Sequence, residues 1–417
     1  MSDSPSLELR LRRRLKSLVL GNPLLRGPAS AYLRARLHRE YAALADGYAR
    51  RAREAGLSYD AASTTADVRA RLARRGAPPR RRTLGAVRTF AFVPGISWHA
   101  DLLPDLEKLG PVVRFDYASL GFQWEEFSRA SRRGLRDREE MNELFFSRVR
   151  EEHAREPLDW VFVYASGCEI KASIVRRISE ELGLPTVNMC LDDKNSWRGP
   201  WMGDHSAGQI GIAGAFDLSW TSSRVACEWY MVEGGRPLYL PPGFDAAAAE
   251  APPSAGPDIP VSFVGEAYGF RRDVVDFLRR RDVPIQAFGR GWEGGALTPE
   301  EKRSVVARSR VNLGMGGLLH AEDLVALKGR DFEIPAAGGG VYLTSFNPDL
   351  ADHFEIGKEI LCYRDREEMI RLIRNCLQHP EDAVEISRRG RARCLKEHRW
   401  LNRYRRVCAL LGLLDED

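Results

Sequence analysis

Two α/β domains with parallel sheets, preceded by a helical segment, are what this sequence predicts, and three observations carry the prediction. From Val87 onward, short β-branched and aromatic runs alternate with stretches of helical periodicity, a pattern that builds a parallel sheet with right-handed crossovers. At 417 residues the chain exceeds one usual core. A stretch of linker composition, Ala246 to Asp258, divides the alternation into two series.

Residues 1–84 read as helices at Leu7 to Leu20, Ala29 to Ala55 and Thr65 to Arg75, with breaks at Gly21-Asn22-Pro23 and around Gly56 to Ser63. They hold 19 Lys and Arg against 7 Asp and Glu, a net of +12, within a chain whose total is +5. The first helix places Leu7, Leu11, Leu15 and Leu18 on one stripe, with Arg12, Arg13, Arg14 and Lys16 mostly off it. Such a helix can lie on an anionic membrane surface through residues 1–20, or pack on the body with its arginines solvated. No aromatic interleaving or recognition motif accompanies the arginines, which argues against nucleic acid as a partner. The whole segment reads as a basic extension, and a chain beginning near Thr83 is expected to keep its ligand affinity.

The first series offers strands at Thr89 to Gly95, Val112 to Tyr117, Trp160 to Tyr164, Thr186 to Leu191 and Phe216 to Trp220. Helical stretches lie between several of them, at Arg138 to His153, Glu169 to Leu182 and Arg224 to Glu233. Ligands of such a sheet sit beyond the carboxyl ends of its strands. The loop after the first strand, Gly95 to Asp101, is not the G-x-G-x-x-G of a dinucleotide dehydrogenase, which argues against an oxidoreductase. His99 in that loop can serve as a general base or hold a sugar, or can be a partly buried histidine with a backbone partner. Asp192 and Asp193 follow the fourth strand, and adjacent side chains in an extended segment point opposite ways, so the pair suits a helix cap better than a shared metal ion.

The second series runs strand Pro260 to Gly265, helix Phe270 to Arg281, strand Ile285 to Gly289, helix Pro299 to Ser309 and strand Val311 to Met315. Arg271 opens the first of these helices within reach of a phosphate, or faces solvent. Then comes Leu327-Lys328-Gly329-Arg330-Asp331-Phe332-Glu333-Ile334-Pro335-Ala336-Ala337-Gly338-Gly339-Gly340, followed by the β-rich Val341 to Ser345. A short helix feeding a buried strand suits a phosphorylated ligand, because a helix N-terminus favours anions and Lys328 and Arg330 add charge and a guanidinium fork. Glu333 is an acceptor pair suited to the vicinal hydroxyls of a ribose. The same residues also fit a solvated helix face with a glycine cap. Two amphipathic helices broken at Pro380 fill residues 365–397, and a last one spans Trp400 to Leu414.

This stretch, continued by Asn347-Pro348-Asp349-Leu350, Phe354-Glu355-Ile356-Gly357-Lys358-Glu359-Ile360 and Tyr363, resembles the donor-site half of the CgeB-like (spore-maturation-protein-like) group 1 glycosyltransferases. The resemblance covers most of residues 259–400, with weaker echoes back to about residue 85. Those proteins are similar to the wider nucleotide-sugar transferases of the GT-B fold, whose equivalent helix carries a Glu on the donor ribose. The wider family places a second Glu eight positions before it, where this sequence has Val325. The resemblance implies two Rossmann-like domains facing across a cleft, residues 85–246 for the acceptor and 259–398 for the nucleotide-sugar donor. Residues 399–417 would form a helix crossing back to the first domain. The implied activity is transfer of a hexose-type sugar from a nucleotide diphosphate to an acceptor that the sequence does not name. Gly265, Arg271, Gly289, Lys328, Arg330, Glu333 and Gly338 are the expected donor-binding residues, and His99 and Asp193 the expected catalytic ones. A sugar-nucleotide 2-epimerase of the same fold, or a nucleotide-sugar-binding scaffold without chemistry, are the other readings.

The donor-side segments offer cations rather than carboxylates to a diphosphate, so no metal and no cofactor beyond the nucleotide sugar as co-substrate is expected. Seven scattered cysteines without C-x-x-C spacing indicate neither a disulfide framework nor a zinc site. No apolar run reaches 18 residues and no apolar signal-peptide core follows Met1, so a cytoplasmic protein is expected, peripheral on the inner membrane face if residues 1–20 bind lipid.

Overall fold

A computed structural model of the chain describes residues 23–75, 79–95, 97–128, 130–250 and 256–415. The expected helix at Leu7 to Leu20, and with it the membrane contact of residues 1–20, lies outside them.

The first sheet holds β1 (Thr89–Phe92), β2 (Val112–Phe115), β3 (Trp160–Val163), β4 (Thr186–Cys190), β5 (Leu218–Thr221) and β6 (Pro237–Tyr239). All pairs are parallel, in the order β2-β1-β3-β4-β5-β6. Every residue of β1, β3, β4 and β5 is buried, which is why these strands read as unbroken apolar runs rather than alternating ones. Side chains still divide by face. Phe90 and Phe92 pack with Met141, Phe145 and Val149 of the helix Arg132–Arg155, while Ala91 and Val93 join a core that includes Phe162, Trp220 and Tyr404. The sequence reading missed β6, a three-residue strand at the sheet's margin, where Pro237 forgoes its ladder N–H at little cost.

The second sheet holds β7 (Ile259–Val264), β8 (Ile285–Phe288), β9 (Ser309–Leu313), β12 (Val341–Ser345) and β13 (Leu361–Tyr363), parallel and in the order β13-β12-β9-β7-β8. Between β9 and β12 the chain makes an antiparallel hairpin, β10 (Gly317–Leu318) with β11 (Ala321–Val325). In both sheets the third strand lies beside the first, so successive connections run opposite ways from that point and open a crevice at the carboxyl ends.

Residues 23–74 are not an appendage. The helix Pro23–Glu54 packs Leu44 and Tyr48 against Trp197, Trp229 and Tyr230 of the first domain. Nearer its start, Leu37 and Tyr41 lie on Leu318, Ala321 and Leu324 of the hairpin, and Arg34 and His38 hold Asp323 at 2.8 and 3.0 Å. The helix Ala61–Arg74 places Val68 and Leu72 in the first-domain core. Its Arg71 meets the buried Asp217 at 2.9 Å, and Arg75 pairs with the same carboxylate. Part of the positive charge that suggested a solvated extension is therefore spent on internal carboxylates. Trp400–Leu411, the terminal helix, buries Trp400, Tyr404, Val407 and Cys408 in that same first-domain core. All seven cysteines are buried and unpaired, as small hydrophobes would be.

Candidate functional site

The carboxyl ends of both sheets open onto one cleft of about 750 Å³. The first domain contributes Asp101 after β1, Asp192 and Asn195 after β4, and Pro242 to Asp245 after β6. Across from them stand Gly265, Tyr268 and Arg271 after β7, Gly289 and Arg290 after β8, and Lys302, Lys328, Arg330 and Glu333. At the crossing between domains, Phe244 N–H donates to the His398 carbonyl at 3.3 Å and Trp400 N–H to the Phe244 carbonyl at 3.2 Å.

The helix Arg330–Ala337 starts at this cleft, and Asp331 shapes its start. The Asp331 carboxylate, buried, accepts from the Lys328 N–H at 2.7 Å and the Tyr342 hydroxyl at 2.6 Å. Turned inward to those donors, it leaves Lys328, Arg330 and Glu333 on the cleft wall. Burial pushes the Asp331 carboxyl above its ordinary value, against the hydrogen bonds that favour its charged form. Glu333 Oε1 accepts from Lys302 Nζ at 2.5 Å, which leaves its second oxygen for another donor. Lys302 escaped the sequence reading although a signal existed. Thr298 and Glu301 form a capping box that starts the helix Pro299–Arg308, so Lys302 falls in the first turn of a helix beginning at the sheet's carboxyl edge.

Arg271 and Arg330 are the electrostatic centre of the site. Arg271 is 2% exposed, and its Nη1 donates to the Glu266 carbonyl at 3.1 Å while its guanidinium lies 4.1 Å from the Tyr268 ring centroid. Arg330 lies 5.6 Å from the Phe263 ring centroid. Burial, and then the charge of Arg330, lower the Arg271 pKa to about 10. Buried Arg271 Nε and Arg330 Nη1 have no hydrogen-bond partner among the described residues. Two cations driven together with unused donors form a place for a multiply charged anion.

Gly265 and Gly289 frame this pair by close approach. A Cβ on Gly265 would stand 3.1 Å from Arg330 Nη1. At Gly289, with φ +123°, a Cβ would fall 2.4 Å from the Gly265 carbonyl oxygen, so only glycine fits. Gly338 is different. It caps the C-terminus of the helix at φ 76°, beside Arg391, and does not line the cleft.

The two expected catalytic residues are also off the cleft wall. His99, in the 3-10 turn Ser97–Leu102, packs edge-on to Tyr164 at 4.7 Å, and burial lowers its pKa to about 4. Asp101, two residues on, lines the cleft instead. Partial desolvation and the negative charge of Glu333 opposite hold the Asp101 carboxyl above its ordinary value. Asp193 is 1% exposed and accepts from the Thr221 hydroxyl at 2.5 Å and the Tyr230 hydroxyl at 2.7 Å; burial raises its pKa to about 6. It fastens the loop after β4 to the sheet. Its neighbour Asp192 points the other way and meets Lys328 Nζ across the cleft at 2.8 Å. Among the described residues no group of three or more His, Cys, Asp or Glu is placed to hold a metal ion. Nor is any described helix long and apolar enough to cross a membrane.

Comparison with known proteins agrees with this geometry. Residues 271–409 match the family model described as glycosyl transferase-like. No curated protein matches the sequence. Among solved structures, the chain is similar to the trehalose-6-phosphate phosphatase N-terminal domain of Candida albicans, at TM-score 0.53 and 10% identity, over 81% of this chain and 99% of that one. It is also similar to HepE of Anabaena, solved in complex with UDP and glucose, at TM-score 0.50 and 11% identity, over 78% of this chain and 99% of that one. The chain thus has the GT-B fold, two Rossmann-like domains facing across a cleft, and carries a glycosyl transferase-like segment running from Arg271 to Ala409.

Proposed function

We propose that the cleft binds a nucleotide-diphosphate sugar and that the protein transfers the sugar to an acceptor held by the first domain, without a divalent ion. The observation that carries this reading is the pairing of Arg271 and Arg330, two cations with unused buried donors on one wall. Departure of a nucleoside diphosphate builds negative charge on its phosphates, and preorganised guanidiniums stabilise that charge where water is excluded. Lys328 adds a third cation and the N-terminus of the helix Arg330–Ala337 a favourable dipole. Glu333, steadied by Lys302, receives the ribose hydroxyls. HepE, a protein of this fold, was solved with UDP and glucose, which supports a sugar nucleotide as the donor. The run Leu327 to Gly340 supports placing the chain in the CgeB-like subgroup. We place the protein in the cytosol, where nucleotide sugars are made available to such enzymes, with the basic composition of residues 1–20 supporting contact with anionic lipid; sedimentation with phosphatidylserine vesicles tests that contact.

A thermal-shift screen of UDP-, GDP-, ADP- and dTDP-sugars should find one base that stabilises the protein, followed by release of the nucleoside diphosphate that persists in EDTA. Turnover abolished by EDTA and restored by Mn²⁺ or Mg²⁺ would refute metal independence; stabilisation by none of the four would refute the donor reading.

A further inference from the structure

Among the described residues three salt links line the cleft, and one of them differs in kind. Arg290 with Glu266 at 2.6 Å and Lys302 with Glu333 at 2.5 Å stay within the second domain, whereas Lys328 reaches Asp192 of the first at 2.8 Å. We propose that Asp192 holds Lys328 until the donor's diphosphate takes the lysine, and that donor binding thereby frees Asp192 as a positioning residue for the acceptor hydroxyl. The proposal rests on the donor reading above.

The geometry makes the exchange local. The Lys328 main-chain N–H is fixed by Asp331 at 2.7 Å, and Lys194 Nζ donates to the Val325 carbonyl at 2.8 Å, so the segment is anchored on both sides of Leu327. Only the lysine side chain needs to turn. Arg330, two residues on, shares the cleft with it. A diphosphate brings at least two negative charges to Lys328, Arg330 and Arg271, against the single carboxylate of Asp192. The Asp192 side chain is 51% exposed while that of Lys328 is 17% exposed, so the carboxylate loses little on release and the cation gains a stronger partner. Before donor arrives, Asp192 is neutralised and offers a hydroxyl little. Afterwards it is a free carboxylate on the first-domain wall, able to accept from the hydroxyl that will attack. The order donor first, acceptor second follows, and no covalent step is required of Asp192.

The test is a double-mutant cycle on the full chain, read by isothermal titration with UDP, GDP, ADP and dTDP in parallel. Asp192→Ala should bind its preferred nucleotide about 2- to 5-fold tighter than wild type, the release of one partly exposed ion pair. Lys328→Ala should bind about tenfold weaker, the loss of one charge-assisted contact. The double variant should match Lys328→Ala, because Asp192 acts through the lysine. No gain in Asp192→Ala overturns the exchange, as does a gain that persists without Lys328, which would mark simple repulsion of the nucleotide. If no nucleotide binds wild type, the donor reading falls and the exchange with it; unchanged binding in Lys328→Ala overturns the exchange and leaves the donor reading on its arginines. In donor hydrolysis with water as acceptor, Asp192→Asn should lower KM and also lower kcat. A merely structural loss would raise KM, and an unchanged kcat would overturn the positioning role.

Discussion

Replacing Arg330 by Met removes the charge that helps to depress Arg271, while leaving a side chain long enough to cover the Phe263 ring 5.6 Å away. Burial and the charge of Arg330 lower the Arg271 pKa to about 10, a disfavoured charge on the order of 3 kcal/mol. Burial is the larger cause and the charge of Arg330 the next, so removing Arg330 relieves the smaller part of that cost. Loss of the cation–π contact takes back about 0.5 kcal/mol, and relief of the buried, unused Nη1 donor returns about 1 kcal/mol or more. Arg330→Met should therefore be as stable as wild type or more so, with Tm unchanged or raised by about 1–2 °C. Nucleoside diphosphate binding should weaken by about 1.5–3 kcal/mol, a roughly 10- to 150-fold rise in Kd. Differential scanning fluorimetry and isothermal titration on one preparation read both quantities. A variant that loses stability yet keeps its nucleotide affinity would show that the arginine pair serves the fold, and the reasoning from paired cations to a diphosphate site would be wrong.

Turnover should fall tenfold or more for Arg330→Ala, and by more than for Lys328→Ala, because only the guanidinium makes a paired contact; initial rates of nucleoside diphosphate release decide the order. Glu333→Ala should weaken the free nucleoside diphosphate by about 1.5–3 kcal/mol, and unchanged affinity in the folded variant removes the ribose role. A chain beginning near Thr83 loses Val68 and Leu72 from the core and leaves Asp217 buried without Arg71 and Arg75. Stripping partners from a buried carboxylate costs on the order of 3–5 kcal/mol, so this truncation should be insoluble or unfolded by circular dichroism; a soluble truncation that binds nucleotide refutes the packing argument. Burial, followed by the charge of Arg403, lowers the pKa of His353 to about 4 and of His398 to about 3. Below pH 6.5 the unfolded chain takes up protons that these rings refuse, so their stabilisation is complete above pH 6.5 and is lost as pH falls toward 4. Denaturant midpoints should drop over that window, and His353→Gln should flatten the slope by up to about 1.4 kcal/mol per pH unit.

The amino-acid sequence by itself determined the parts of this protein that depend on near neighbours. Alternating periodicity set the order of strands and helices, since a strand buried on both faces must be apolar throughout and a helix must return to its own stripe every 3.6 residues. The run from Lys328 to Glu333 was legible because charge, spacing and the following strand all lie within a few residues. Tertiary structure decided the rest. Which of Asp192 and Asp193 enters the cleft depends on Thr221 and Tyr230, which come from β5 and the helix after it and claim Asp193 for the core. Asp101 rather than His99 reaches the cleft because Tyr164, after β3, packs against the imidazole. Lys302 meets Glu333 only because two helices 31 positions apart begin on the same cleft. The arginines of residues 61–75 looked solvated until folding set Arg71 and Arg75 on Asp217, more than a hundred residues away. A lone side chain's partner is chosen by chain closure over such distances, and nothing in its immediate sequence encodes that choice.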